Sequence, residues 1–235
     1  MFAVIFEVHP KPERYKDYLD LAKMLKPHLE QIDGYLSIER FKSQSREGWI
    51  LSLSLWRDEA ALVEWRTLAV HHEVQEKGRS EVFQDYRLRV GQVVTDDTPG
   101  QAQQRPERRS AYNDTTVHPP TYAAILEVEP EVKEQGGQIN LETIIGPSLS
   151  KSEGFETMER YDSLSIEGKF LYLTSWKNEA AATIWQERAI QALADPTIAS
   201  GPKATFRLLV VEMERDYGMF DRKEAPQYYP PVDKK

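Results

Sequence analysis

The sequence predicts an α+β protein in which two tandem ferredoxin-like domains, each of order βαββαβ, pack sheet to sheet within one chain as a pseudo-dimeric α/β barrel. Three observations carry this expectation. The chain repeats itself at a fixed offset of 120 residues. Each copy interleaves segments of period two with segments of helical period. The sheet that each copy builds also has a second face too rich in large side chains to stand bare in water.

The repeat is read directly. Ala3-Val4-Ile5-Phe6-Glu7-Val8-His9-Pro10 aligns with Ala123-Ala124-Ile125-Leu126-Glu127-Val128-Glu129-Pro130. Further along, Glu39-Arg40-Phe41 aligns with Glu159-Arg160-Tyr161, Trp56 with Trp176, Glu59-Ala60-Ala61 with Glu179-Ala180-Ala181, and Trp65 with Trp185. Without a gap, 28 of 96 aligned positions are identical. The expected division is a first domain at 1–97, a linker at 98–120, a second domain at 121–217, and a tail at 218–235 containing Pro and Tyr. The linker holds Pro99-Gly100 and Pro119-Pro120 and has no apolar period. Prolines exclude helix and central strand from the tail, so a frayed end is expected, with tyrosines able to latch onto a neighbour.

Each element of the first copy has its reason. Residues 2–9 set Phe2, Val4, Phe6 and Val8 on one face, against Ala3, Ile5 and Glu7 on the other, which is the pattern of a strand. From Pro12 to Ile32 apolar residues fall at steps of three and four, giving a helix expected to kink or break near Pro27. Tyr35–Ser43 and Trp49–Trp56 alternate on either side of Ser45-Arg46-Glu47-Gly48, a turn composition joining antiparallel strands. Asp58 stands as an N-cap before an Ala-Ala-Leu-x-x-Trp helix. Phe83–Val94 supplies the last strand. Carrying the same parity through, the open sheet face holds Ile5, Glu7, Glu39, Ser52, Ser54, Trp56, Arg87 and Arg89. In the second copy that face reads Ile125, Glu127, Glu159, Tyr172, Thr174, Trp176 and Arg207.

Composition narrows the function classes. A net charge of −8 disfavours nucleic acid as a partner. The absence of cysteine removes thiolate chemistry, disulfides and cysteine-ligated metal. The first apolar run ends at Glu7, too short to span a membrane, and the expected setting is cytoplasmic. No metal site is expected, because His71 and His72 have no third ligand at useful spacing.

Asp33-Gly34-Tyr35, Glu39-Arg40-Phe41, Leu53-Ser54-Leu55-Trp56-x-x-Glu59-Ala60, Trp65-Arg66, His71-x-x-x-Gln75-x-x-Gly78-Arg79 and Asp85-Tyr86-Arg87 together resemble the antibiotic biosynthesis monooxygenase domain. The resemblance covers nearly all of 1–97 and, more weakly, 121–217. It implies a dimeric α/β barrel and a choice among cofactor-free oxygenases of polycyclic phenols, quinol oxygenases, haem-degrading enzymes and proteins without known activity. Haem is disfavoured, since Gln75 stands where the haem-degrading branch has its histidine ligand and Phe6-Glu7 where it has an asparagine. No cofactor is therefore expected.

The expected function is a cofactor-independent monooxygenase that oxidises an electron-rich aromatic molecule, such as a phenol, anthrone or quinol, with O2. The alternative is a non-catalytic small-molecule-binding or stress-response barrel, and a further homo-oligomer is left open. His71, His72 and Tyr86 are the catalytic candidates, since an imidazole moves protons near neutral pH. Trp65, Phe6 and Leu88 are the substrate-binding candidates. On a continuous helix His72 shares a face with Trp65 and His71 points about 120° away. Family spacing favours His71, on the expectation that the helix breaks. Trp65 also reads as a helix-to-sheet anchor, and Tyr86 reads either as a hydroxyl beside Trp65 or as a core tyrosine with a satisfied hydroxyl. Glu7, Glu39, Arg87 and Arg89 read as a structural ion network lining the barrel. The second copy has Gln191-Ala192 in place of the imidazoles, so only the first domain can carry histidine chemistry.

Overall fold

A computed structural model of the chain describes residues 1–97, 121–130, 149, 152–193 and 204–226. The expected linker, the first helical region of the second copy, residues Asp195–Ala199 and the end of the tail lie outside them. The first half runs β1 (Phe2–Pro10), a short 3-10 turn, α1 (Tyr15–Leu29), β2 (Tyr35–Ser43), β3 (Ile50–Trp56), α2 (Glu59–Thr67), α3 (Ala69–Lys77), a π turn and β4 (Phe83–Asp96). The second half contains β5 (Thr121–Pro130), β6 (Phe155–Ser163), β7 (Phe170–Trp176), α4 (Glu179–Leu193) and β8 (Ala204–Gly218).

Local chemistry sets these bounds. Asp58 caps α2, its carboxylate accepting from the Ala61 N–H at 2.9 Å. Gly48 and Gly168 take positive φ in the β2–β3 and β6–β7 turns, where a side chain would be strained. Pro27 lies inside the last turn of α1 without breaking it, and the helix ends two residues later.

The strands close in the order β1-β3-β2-β6-β7-β5-β8-β4, so each half contributes a ferredoxin-like sheet. The sheets do more than face each other, because their edges pair. β2 joins β6 through Phe41↔Ser163 to Ser43↔Tyr161, and β4 joins β8 from Arg87↔Gly218 to Asp96↔Leu209. Closure leaves no free sheet edge in the ring. At the β4–β8 seam the backbones come so close that a Cβ on Gly91 would run into the Glu212 carbonyl.

The barrel interior is a dry core of Ile5, Leu51, Leu53, Leu55 and Phe41, with Ile125, Leu171, Leu173 and Leu209 from the other half. Each fully buried Leu or Ile stabilises the barrel by roughly 1.5–3 kcal/mol. The expected parity of β3 is reversed. Ser52, Ser54 and Trp56 pair with Phe6, Val4 and Phe2 and face the helices, as Tyr172, Thr174 and Trp176 do in β7. β3 is buried along its whole length, so its two faces show no contrast between wet and dry, and the larger leucines fill the barrel.

At one end of the barrel the core gives way to charge. Glu7, 5% exposed, accepts from Arg89 at 2.7 Å, Arg46 at 2.5 Å and the Tyr161 hydroxyl at 2.8 Å. Burial alone would raise its carboxyl, but the two guanidiniums and the phenol outweigh this and hold it down at about 2. Arg46 also reaches Glu159 across the seam. In the other copy Lys169 does the equivalent work, meeting Glu39 at 2.7 Å, Glu129 at 3.2 Å and Glu127 at 3.4 Å. Ser43 donates to Glu159 and Ser163 to Glu39, a reciprocal pair built from identical residues of the repeat. Arg87 departs from the expected lining role: half-exposed at the rim, it pairs with Asp216 at 2.5 Å, as Arg207 pairs with Asp96 at 2.9 Å. No helix among the described residues is long and apolar enough to cross a membrane.

The two arginines should therefore behave differently. Arg89→Ala leaves Glu7 short of a partner in the barrel and should cost about 3–5 kcal/mol, whereas Arg87→Ala breaks a rim pair and should cost no more than about 1 kcal/mol. Chemical denaturation of the two variants beside the parent chain measures both.

Candidate active site

The helix-facing side of the first sheet forms a cavity of about 200 Å³. Val4, Phe6, Leu88 and Val90 make its apolar floor, α1 covers one flank through Tyr18 and Leu25, and α2 with α3 covers the other. Ser52 and Ser54, small and buried on β3, leave the space open. In the second half Tyr172 stands at the position of Ser52, 2% exposed, and packs with Phe170, Trp176 and Trp185.

One break in the backbone builds the chemical end of the cavity. Leu68 is extended, with ψ 127°, and separates α2 from α3. The break frees carbonyls in the last turn of α2. It also swings His71 back onto Trp65: the rings stack at 4.1 Å between centroids and 19° between planes. The His71 Nδ1–H donates to the Trp65 carbonyl at 3.0 Å, which fixes the tautomer and leaves Nε2 as the acceptor, with the Gln75 amide 3.4 Å away. Trp65 stacks in turn on Trp56, 6.5 Å between centroids. Burial pushes the His71 imidazole down to about 4, against the opposing pull of the Trp65 carbonyl and with a smaller contribution from neighbouring His72. It is neutral throughout the physiological range.

The structure thus gathers His71, Trp65, Phe6, Leu88 and Tyr86 around one cavity. His72 is not among the lining residues. The break that turns His71 inward directs His72 along α3, its Nε2 lying 3.8 Å from Glu76. Tyr86 lines the cavity at its far end, and its hydroxyl does not lie beside Trp65. It pairs with Val8, whereas the Trp65 ring rests over Trp56, which pairs with Phe2, about 20 Å away along β1. There Tyr86 packs against Phe6 and Phe83, and its hydroxyl accepts a hydrogen bond from Arg222. Trp65 is partly exposed to the cavity, while its counterpart Trp185 is a core residue, 3% exposed.

Sequence reasoning missed what the second half contributes. β8 extends the first sheet, Leu88 pairing with Tyr217 and Val90 with Arg215, so both side chains enter the cavity wall. The chain beyond β8 does not fray at once. The Asp216 N–H donates to Glu224 at 2.7 Å, Ala225 is buried, and Arg222 and Pro226 reach the cavity. Arg40 belongs to the Glu39-Arg40-Phe41 motif and is not among the sequence-predicted lining residues. Its alternation with Glu39, which faces the barrel, was the available signal. Among the described residues no group of three or more His, Asp or Glu is gathered to hold a metal ion.

The described residues form a single-chain α/β barrel of duplicated ferredoxin-like halves, with an apolar cavity ending in a buried histidine. Residues 1–77 and 122–192 match the family model for antibiotic biosynthesis monooxygenase, and the chain belongs to that family. It is 38% identical over 233 residues, 99% of this chain and 100% of the relative, to a Pyricularia oryzae protein named jasmonate monooxygenase ABM. It is also 29% identical over 92 residues to YqjZ of Bacillus subtilis, covering 39% of this chain and 78% of that one. Among solved structures, a crystal structure of the aldoxime dehydratase OxdRE shares the fold, with a TM-score of 0.59, 10% identity, and coverage of 91% of this chain and 79% of that one.

Two outcomes follow from this geometry. Ser52→Tyr, which copies Tyr172, should fill the cavity and remove small-molecule binding, seen as lost quenching of tryptophan fluorescence, while the melting temperature stays near that of the parent. Because the folded His71 holds its proton less well than a histidine near 6.5, the unfolded chain binds the extra proton. Its contribution to stability is complete above about 6.5 and is lost as pH falls toward 4. Melting curves between pH 7 and 4 should show a shallower decline for His71→Gln, and NMR titration should place the His71 midpoint near 4.

Proposed function

We propose that this chain is a monooxygenase that works without a bound cofactor, oxidising a small amphipathic molecule with O2 in the cavity of its first half. On this reading 1–97 is the catalytic domain, 121–217 is its degenerate partner across linker 98–120, and the setting is cytoplasmic. Family membership supports the oxygenase class. The first substrate reading is a jasmonate-class molecule, a ring ketone carrying a carboxylic acid. The observation that carries it is the lining: an apolar floor ringed by six cationic side chains and, among the described lining residues, a single carboxylate, Glu59. The full-length relative named for jasmonate supports it further.

An electron-rich aromatic substrate is the second reading, favoured by the stacked Trp56–Trp65–His71 wall and a neutral imidazole beside it. His71 Nε2 accepts a proton or hydrogen bond from the substrate. Dry apolar surroundings strengthen that interaction and shield the reactive anion. A conjugate-acid value near 4 makes His71 a weak base, suited to a proton already acidic in the substrate.

Electron balance separates the two readings. Converting a CH2 to a carbonyl consumes one O2 and yields one water with no outside electrons. Hydroxylating one C–H consumes one O2 and two further electrons and protons, so a two-electron reductant must take part. Oxygen uptake with jasmonic acid, and with anthrones and quinols, should be measured with and without a reduced nicotinamide donor. Consumption tied to one substrate class identifies the reading, and tight binding without uptake in any arm would make the chain a binding module. On the active substrate, His71→Ala should lower turnover by about 10²–10⁴, and the parent rate should rise through pH 4 and stay flat above it. Full activity in that variant removes His71 from the mechanism.

A further inference from the structure

The duplication makes the charge on one cavity residue conspicuous. Arg160 of β6 and Arg40 of β2 are the same position of the repeat. Arg160 is neutralised internally, its Nε donating to Asp162 at 3.0 Å while its guanidinium lies 4.1 Å over the Phe170 ring. In the first half the position of Asp162 is Lys42, an exposed residue of the same sign as Arg40. Arg40 lines the cavity, and its Nε is buried without a hydrogen-bond partner among the described residues. Beside it are the hydroxyls of Tyr18 and Ser52. Burial pushes the Tyr18 phenol up, and the Arg40 guanidinium and Ser52 hydroxyl partly offset this. A buried guanidinium edge with an unused N–H, flanked by two hydroxyls and lacking the carboxylate its counterpart has, calls for an anion from outside.

We propose that Arg40, with Tyr18 and Ser52, is the receptor for the carboxylate of the ligand. The planar guanidinium matches a planar carboxylate through two parallel N–H donors. Position supports the assignment. Arg40 pairs with Ser52, four residues along β3 from Trp56, or about 13 Å. A ligand held there by its acid lays its apolar body over Phe6, Val4 and Ser54 and brings its far end to the Trp56–Trp65–His71 wall. The acid is thereby kept away from the oxidised carbon. This inference rests on the acid-bearing substrate reading above, and it assigns the residue that selects for the acid.

The test compares acids with their neutral esters by calorimetry on the full chain: jasmonic acid against methyl jasmonate, and octanoic acid against methyl octanoate. The parent should bind each acid at least tenfold more tightly than its ester. Arg40→Gln should erase that preference by weakening the acid and leaving the ester unchanged, and Arg40→Lys should keep part of it. Lys42→Asp gives Arg40 the internal carboxylate that Arg160 already has. It should weaken acid binding with Arg40 still in place, which decides the matter should Arg40→Gln fail to fold. Preference retained in both Arg40→Gln and Lys42→Asp overturns the assignment, as does a preference lost in Arg222→Gln instead. An Arg40-dependent preference for octanoic acid with no binding of jasmonic acid would sink the jasmonate reading and leave the receptor standing. Jasmonic acid turned over but bound no better than its ester would do the reverse.

Discussion

Each half of this chain makes a four-stranded sheet with helices on one face, and such a sheet is left with an uncovered apolar face and two unpaired edges. Pairing β4 with β8 and β2 with β6 satisfies all of these at once, because edge closure and face burial are the same event in a barrel of this size. The rest of the structure depends on that closure. It brings Glu7 of one half to Tyr161 of the other, and Glu39 to Lys169, so the polar networks at the barrel end are completed across the joint. Isolated from one another, the halves would separate Glu39 from Lys169 and Glu159 from Arg46.

Closure also explains why a pocket in the first half is partly made by the second. A strand that extends past its partner's end becomes part of the partner's sheet. The last residues of β8 do this, carrying Arg215 and Tyr217 onto the first sheet. The chain that follows is then held at the cavity edge by Arg222 and Glu224. In the opposite direction β4 reaches the second half, where Thr95 and Asp97 hydrogen-bond the buried Gln186. The exchange is reciprocal in backbone and unequal in chemistry: one half receives side chains that line a cavity, and the other receives hydrogen-bond partners for a buried amide.

Duplication has let two sites under the same constraints diverge by few substitutions. Trp56 and Trp176 occupy the same place, each indole donating to the hydroxyl two residues earlier. Ser52 leaves space beside Trp56, where Tyr172 places a ring in the described core beside Trp176. Lys42 against Asp162 decides whether the neighbouring arginine has an internal carboxylate as its partner. A helix broken at Leu68 against the continuous α4 decides whether a side chain can return to the tryptophan.

The sequence by itself determined the duplication, the order of elements, the Asp58 cap and the glycine turns, because these depend on local periodicity and on backbone conformations that particular residues favour. It also brought Trp65, Phe6, Leu88 and His71 together, through parity on β1 and β4 and through family spacing, and the structure places all four around one cavity. It failed on the face of β3, because a strand buried on both sides carries no contrast to read. The break at Leu68 has no proline or glycine to announce it; family spacing favours His71 on the expectation of a break, and the packed structure sets its position. Arg87 and Arg89 share a parity and a chemistry, yet one is half-exposed at the rim and the other buried on Glu7, since depth along a barrel is set by closure. The arrival of Arg215, Tyr217 and Arg222 in a cavity far away in the chain was likewise decided by tertiary structure, because strand registry between the halves is a property of the closed ring and not of either repeat.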